Sequence, residues 1–229
     1  MWFIDPVYFW YVLIPVLLIS LGVQIYLRNT NAKWSKVKNS TGATGTQVGN
    51  SLFQRTSLRP VRLDHVSGTM TDHFDPGANV VRLSDTTFNK STVSAMAITA
   101  HELGHVQQYQ TGSGLIKARG FLLPALQFSP TISYIAILFG LWFNLTGLLW
   151  LGILFFGIMV LFSLLTLPVE LDASRRGLRL LDEAGLMVTE NDRKGSQAVL
   201  RAAALTYLAA AITSILQLLY YISVAQRRN

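Results

Sequence analysis

The sequence of 229 residues contains no cysteine and few charged residues. Without cysteine, the chain can form neither disulfide bonds nor a zinc site built on thiolates. Charged residues make up only 14% of the sequence, whereas about 25% is usual in soluble domains. Besides carboxylates, the ligands left for a zinc-type metal are four histidines: His65, His73, His101 and His105. A transition-metal site would therefore depend on these few side chains.

Asp, Glu, Lys and Arg are absent from three long runs, residues 6–27, 120–169 and 202–225. A helix that crosses a membrane needs about 20 apolar residues, so the first and last runs each predict one crossing. The first run lacks a basic start and a cleavage site, which predicts an uncleaved anchor. The middle run is fifty residues long and predicts two crossings with a turn at 144–147. We expect Pro124 and Pro130 to kink or delay the first of these two.

The net charge of +7 does not indicate a nucleic-acid-binding protein. No basic motif with interleaved aromatic residues occurs, and Lys and Arg instead lie beside the apolar runs. Loops rich in Lys and Arg stay on the cytoplasmic side of a membrane. Residues 28–119 and 170–196 hold 11 and 5 of these residues, against 2 in the C-terminal tail. This asymmetry predicts that both segments face the cytoplasm.

The stretch His-Glu-Leu-Gly-His at residues 101–105 carries the clearest chemical signal. No proline interrupts its surroundings, and Ser91 is suited to cap the start of a helix. Histidines four residues apart lie on one face of a helix and can bind the same divalent ion, usually zinc. The glutamate of such a motif is the general base of metallopeptidases. We therefore predict His101 and His105 as zinc ligands and Glu102 as the catalytic residue.

A third ligand is needed, because catalytic zinc sites have three protein ligands and one open position. No third histidine follows at a suitable spacing, which leaves a carboxylate. The stretch Leu-Pro-Val-Glu-Leu-Asp-Ala-Ser-Arg-Arg at 167–176 begins where the middle apolar run ends, and we expect Pro168 to start a helix. Glu170 is our predicted third ligand, because two crossings would return it to the side of His105. Asp172 is the alternative ligand, or it supports a ligating histidine.

Residues 60–84 alternate between apolar and polar side chains and predict two short strands that form a small β-hairpin. Asp75-Pro76-Gly77 is the expected turn signal. His73, near this turn, could line a substrate cleft or stabilise an oxyanion, although bonding to its turn neighbours is the commoner role. His65 is predicted to be structural. A weak helix is expected over residues 46–55.

The chain resembles the bacterial neutral zinc metallopeptidases of the YugP type. The resemblance rests on HELGH followed by Val-Gln-Gln, on Thr-Asp-His-Phe-Asp-Pro at 71–76, and on the late stretch at 167–176. It implies a membrane-embedded, zinc-dependent peptidase that uses His101, His105 and Glu170 as ligands and Glu102 as base. Related membrane zinc peptidases often have an aspartate four residues after the ligand glutamate. Here that residue is Ser174, and Asp172 could take over its supporting role.

The predicted fold is a mainly α-helical membrane protein with about four transmembrane helices, a zincin-like HExxH helix and a small β-hairpin. Five segments are expected, in chain order. They are an N-terminal transmembrane anchor (1–27), a zinc-peptidase segment (28–119), a transmembrane hairpin (120–169), a third-ligand helix and loop (170–196), and a C-terminal transmembrane helix and tail (197–229).

The predicted function is that of an endopeptidase in a bacterial cell membrane, crossing it several times. It would hydrolyse peptide bonds with a metal-activated water, one zinc ion and Glu102 as general base. The expected partners are a peptide or protein substrate and the lipid bilayer, with no nucleic acid; a membrane-protein partner or a second copy of the chain could join them. The alternative is an inactive zinc-binding scaffold or regulator, whose fourth metal position His73 or Asp172 would close.

Overall fold

The computed structural model describes residues 5–228 of the chain. The first four residues of the predicted N-terminal anchor lie outside these described residues. The elements in chain order are α1 (Pro6–Tyr8), a π-helical turn (Phe9–Leu13), α2 (Ile14–Trp34), α3 (Gly45–Arg55), β1 (Arg62–His65), β2 (His73–Asp75), β3 (Val80–Leu83), α4 (Val93–Gln110), α5 (Gly114–Trp142), α6 (Thr146–Glu183) and α7 (Glu190–Gln226).

Within the described residues, four helical stretches are long and apolar enough to cross a membrane. They are Pro6–Trp34, which joins α1, the π-helical turn and α2, followed by α5, α6 and α7. The shortest contain 29 residues, or about 43 Å of helix at 1.5 Å per residue. That length exceeds the roughly 30 Å hydrocarbon core of a bilayer. The prediction of a mainly α-helical membrane protein with about four spans is confirmed.

The turn between the two middle spans lies where the sequence predicted it. Helix α5 ends at Trp142 and α6 begins at Thr146. Asn144, between them, has a φ of 56°, a left-handed conformation that asparagine adopts more readily than most residues. The prolines of α5 behave differently from expectation, because the helix continues through Pro124 and Pro130. They therefore do not delay the span.

The described chain divides into two compact units. One unit contains the apolar helical segments up to Val23, Lys117–Pro168, and the residues from Thr206 onward. The other contains Gln24–Ile116 and Val169–Leu205 and holds every residue proposed from the sequence for the metal site. Its main hydrophobic core is formed by α3, β3, α4 and the last turns of α6.

The small sheet has three strands in the order β1-β3-β2, which corrects the predicted two-stranded hairpin. The first predicted strand, β1, pairs with β3 in parallel, with Leu63 opposite Val81. The hairpin partner of β3 is instead β2, in which Phe74 lies opposite Val81. A three-residue strand is too short to show the alternation by which strands are recognised. The predicted turn signal does lie within the β2–β3 connection.

Helix α4, which carries the HELGH stretch, is buried on most sides. Twelve of its 18 residues are buried, as its small and apolar composition predicted. The Thr92 side chain, rather than Ser91, caps its start by accepting a hydrogen bond from the Ala95 N–H. The predicted weak helix is α3, which begins one residue early because Thr44 and Gln47 form a capping box.

Helix α6 is longer than the sequence suggested. Pro168 does not start a new helix but lies inside α6, so the second middle span and the predicted third-ligand helix are one element. Proline inside a helix removes one backbone hydrogen bond, a loss that apolar transmembrane helices often tolerate because neighbouring groups compensate. Glu170 therefore belongs to the interior of a helix and not to its N-terminus.

Helices α4 and α6 approach each other through their glycines. A Cβ atom added at Gly104 would overlap the carbonyl oxygen of Ala173, and one at Gly177 would lie 2.6 Å from the carbonyl oxygen of Ala100. Only glycine allows backbones to come this close without a shift. The contact fixes the distance from the HELGH face of α4 to the Glu170 turn of α6.

Replacing Gly177 by alanine should loosen this contact, because forcing extra volume into a packed site costs about 1–3 kcal/mol. We expect Gly177→Ala to lower the thermal unfolding temperature in detergent and to reduce the zinc bound per chain. Gly157→Ala is the matched control on the same helix, since its added Cβ would meet no atom within 4 Å. Equal unfolding temperatures and zinc contents for the two variants would contradict the role given to the contact.

Candidate metal centre

Helix α4 places the two histidines of the HELGH stretch side by side. The ring centroids of His101 and His105 lie 4.8 Å apart with the rings nearly perpendicular. Glu170 reaches them from α6 and is only 4% exposed. Its Oε2 atom lies 3.2 Å from the Nε2 of His101 and 3.5 Å from the Nε2 of His105. The structure thus brings together the three residues that the sequence proposed as ligands.

These distances suit a single metal ion. Zinc ligands sit about 2.0–2.1 Å from the ion, so tetrahedral ligand atoms lie about 3.4 Å from one another. The two Nε2–Oε2 distances of 3.2 and 3.5 Å bracket that value, and the candidate ligand atoms of all three residues lie within 4.8 Å of one another. His101, His105 and Glu170 could therefore hold a metal ion.

The Oε2 atom of Glu170 is buried and has no hydrogen-bond partner among residues 5–228. The two histidine contacts are within ion-pair distance but lack hydrogen-bond geometry. A buried carboxylate oxygen without a partner is costly unless a cation compensates it. This orphaned atom therefore fits a site that is completed by a metal ion.

The raised pKa of His105 also indicates that its surroundings favour a positive charge. Burial is the largest single effect and lowers this pKa, but the Glu170 carboxylate beside Nε2, the charge of Glu102 and the contact with Gln108 together outweigh burial and raise the pKa above its usual value. The carboxylate therefore favours a positive charge at Nε2. A proton or a metal ion can supply that charge, and both would compete for the same atom.

Gln108 fixes which nitrogen of His105 is available. This amide is fully buried, and its Nε2 donates to the Val169 carbonyl and to Asp172 Oδ2, each at 2.8 Å. Both partners only accept hydrogen bonds, so the amide orientation is determined, and Oε1 must be the atom 3.0 Å from His105 Nδ1. Nδ1 therefore carries a hydrogen, and neutral His105 presents a lone pair at Nε2.

His101 is held in a comparable way by α6. Its Nδ1 lies 3.1 Å from the Oγ of Ser174, which is 9% exposed. A hydroxyl can donate or accept, so Ser174 supports the tautomer that frees Nε2 without enforcing it. Ser174 thus occupies the position, four residues after Glu170, where related peptidases often have an aspartate.

Asp172 does not join the cluster but supports it indirectly. Its Oδ2 accepts hydrogen bonds from Gln108 and, at 2.7 Å, from the Nε of Arg176. Asp172 therefore orients the amide that orients His105. Sequence reasoning considered Asp172 as a direct support for a histidine and missed Gln108 altogether. The signal was a polar residue three positions after His105, on the same face of the helix.

His73 and His65 lie apart from this cluster among the described residues. His73 Nδ1 is 2.8 Å from the Thr71 carbonyl oxygen, to which it donates, and its Nε2 is near the Arg82 guanidinium. His65 on β1 contacts Asp85 at 2.6 Å. These contacts agree with the turn-bonded and structural alternatives that the sequence offered for the two residues.

Glu102, the predicted base, follows His101 on the same helix and is 7% exposed. It is not one of the three residues that could hold the ion. Proton transfer is the role that the HExxH spacing suggests for this residue.

Four apolar spans and an HExxH helix that meets a glutamate from a second helix define a class, the membrane proteins with a zincin-like candidate metal centre. The sequence model of the family described as "Putative neutral zinc metallopeptidase" matches residues 9–226, and the chain belongs to this family. It is 35% identical to the "Putative membrane protease YugP" of Bacillus subtilis over 216 residues, which are 94% of this chain and 96% of that protein. No solved structure matches the chain.

We expect Gln108→Leu to weaken zinc binding by about 10–100-fold, the usual effect of losing a group that orients a metal ligand. The leucine would leave His105 Nδ1 without its acceptor while keeping a similar volume. Equilibrium competition with a zinc chelator would measure the affinity. Gln110→Leu is the control on the same helix, because the Gln110 amide bonds the backbone of Arg59, and an equal loss in both variants would show that Gln108 has no special role.

Proposed function

We propose that the protein is a membrane-embedded zinc endopeptidase in which His101, His105 and Glu170 hold one zinc ion. The observation that carries this proposal is the convergence of two Nε2 atoms on the orphaned Oε2 of Glu170. Membership of a zinc metallopeptidase family supports it. The name of the Bacillus subtilis relative, a membrane protease, agrees with it as well.

Zinc bound at this site would lower the pKa of a water molecule and polarise a peptide carbonyl. In this proposal Glu102 is the general base and acid of the reaction. Its carboxylate takes a proton from the attacking water and passes it to the nitrogen of the leaving amine. Because Glu102 is buried, few water molecules compete for that carboxylate.

The surrounding side chains orient the ligands. Gln108 Oε1 accepts the Nδ1 hydrogen of His105, and Ser174 Oγ is within reach to accept that of His101. Asp172 holds Gln108, and Arg176 holds Asp172. Groups of this kind fix the tautomer and the direction of the imidazoles. The chain therefore presents both Nε2 lone pairs toward the Glu170 carboxylate.

The sequence-based organisation into an anchor, a peptidase segment, a transmembrane hairpin, a third-ligand segment and a C-terminal span remains part of this proposal. The excess of Lys and Arg in residues 28–119 and 170–196 supports a site on the cytoplasmic face of a bacterial cell membrane. The substrate would be a peptide or protein. His73 could still line the substrate cleft from β2.

The alternative, an inactive zinc-binding scaffold, requires a fourth protein ligand. The two candidates for that place are engaged elsewhere, His73 with Thr71 and Asp172 with Gln108 and Arg176. Among the described residues, the cluster holds three candidate ligands, the number typical of catalytic zinc sites. This observation favours the enzyme.

Exchanging the glutamate of the motif separates catalysis from metal binding. We expect Glu102→Gln to retain about one zinc ion per chain and to lower peptide hydrolysis by at least 100-fold, within the usual range for losing a general base. Casein cleavage in detergent and zinc analysis would be measured together. Glu183→Gln is the control, because Glu183 is an exposed glutamate. Undiminished casein cleavage by Glu102→Gln would contradict the role of Glu102 as general base.

The third ligand can be tested by zinc content alone. We expect Glu170→Ala to lose bound zinc after dialysis, because only two protein ligands remain. Asp172→Asn should keep most of its zinc, since Asp172 acts through Gln108. Zinc retained by Glu170→Ala and lost from Asp172→Asn would show that Asp172, and not Glu170, is the third ligand.

A further inference from the structure

A cleft of about 290 Å³ lies between the C-terminal part of α6 and the start of α7. Its lining combines apolar side chains with two arginines. Leu171 and Leu178 line it from α6 and Leu200 from α7, with Arg175 and Arg201 beside them. The volume is near the lower end of the roughly 300–1,000 Å³ usual for ligand pockets. The cleft is therefore suited to a small polar group with an apolar extension.

The two arginines are unpartnered. Among residues 5–228, neither Arg175 nor Arg201 has an ion pair or hydrogen bond, whereas the neighbouring Arg176 and Arg193 are both paired with aspartates. Both side chains are exposed, and no carboxylate lines the cleft. No described residue therefore compensates their positive charge, and the cleft is electrostatically complementary to an anion.

The positions of the two arginines along their helices indicate which anion. Arg201 directly precedes the uncharged run 202–225, and Arg175 lies six residues after the uncharged run 120–169. Six residues correspond to about 9 Å of helix, and the headgroup layer on each side of a bilayer is about 5–8 Å deep. Arginines at this distance from apolar spans reach lipid phosphates with their guanidinium groups.

We propose that this cleft binds the headgroup of an anionic phospholipid. Arg175 and Arg201 hold the phosphate, for which the planar guanidinium fork is well suited. Leu171 and Ala204, which line the cleft closer to the uncharged runs than the two arginines do, contact the apolar part of the same lipid. A substrate carboxylate would satisfy the charge of the arginines but would leave the apolar lining without a matching partner.

The cleft shares one residue with the metal centre. Ser174 lines it and places its Oγ 3.1 Å from His101 Nδ1. A bound lipid would therefore lie behind the hydroxyl that supports a proposed zinc ligand. Zinc content consequently reports whether a cleft variant has kept its local structure.

The test uses the purified full-length protein in neutral detergent. Native mass spectrometry would count bound phosphatidylglycerol and, separately, phosphatidylcholine with the same acyl chains. We expect one phosphatidylglycerol per chain at low lipid concentration and weaker binding of phosphatidylcholine. Arg175→Gln and Arg201→Gln should each lower the phosphatidylglycerol affinity about fivefold, and the double variant about thirtyfold.

Arg179→Gln is the matched control, since Arg179 is an exposed arginine one turn after Arg175 on α6 that does not line the cleft. It should bind phosphatidylglycerol like the wild type. Equal loss in Arg179→Gln, or no loss in the double variant, would overturn the proposal. If the double variant loses zinc, and with it the local fold, the two single variants decide.

Two competition arms separate the sources of negative charge. Inorganic phosphate at millimolar concentration should not displace the lipid, because it lacks the apolar part. A glutamate-rich peptide should not displace it either. Displacement by phosphate would indicate a free-phosphate site, and displacement by the peptide would indicate a substrate subsite; either result would overturn the lipid assignment.

Discussion

The close contact between α4 and α6 is the constraint on which the site depends. Gly104 meets Ala173 and Gly177 meets Ala100 at distances that leave no room for a Cβ atom. Because glycine alone permits this approach, the two helices have a fixed separation near the HELGH turn. The imidazoles of one helix and the carboxylate of the other then meet within ligand distance. The packing of the two helices thus determines the positions of the three side chains, since all three are carried by helices rather than by loops.

The second determinant is a buried hydrogen-bond chain. Gln108 links a histidine on α4 to a carbonyl and a carboxylate on α6. Its Oε1 accepts from the histidine, and its Nε2 donates to both groups on α6. A buried amide without partners would destabilise the protein, whereas a satisfied one specifies a single arrangement. The same contacts that hold the helices together therefore also select the tautomer of His105. Gln108 therefore stabilises the contact between the two helices and also orients His105 in the candidate metal centre.

Much of the architecture could be read from the sequence because the strongest signals are local or additive. Absence of charge over about 20 residues is enough to indicate a span, and the spacing of His101 and His105 follows directly from helix geometry. Glu170 was predicted because a catalytic zinc site needs a third protein ligand besides the two histidines. The roles assigned to these residues stay proposals, but the structure places all three together.

The features that sequence reasoning missed depend on distant contacts. Strand β2 has three residues and is defined by its partner rather than by its own pattern. Pro168 was predicted to start a helix because proline is common at the first helical position, yet it lies inside α6. Gln108 gave only a weak local signal, because its partners Val169 and Asp172 lie more than sixty residues away in sequence.

The separation of Glu170 from His105 has a consequence for the order of biosynthesis. Glu170 follows His105 by 65 positions in the sequence, and the uncharged run of the two middle spans is translated in that interval. At about 5–20 residues per second, a ribosome needs roughly 3–13 seconds to add the carboxylate after the second imidazole. A nascent chain therefore has both imidazoles well before Glu170 can complete the candidate metal centre.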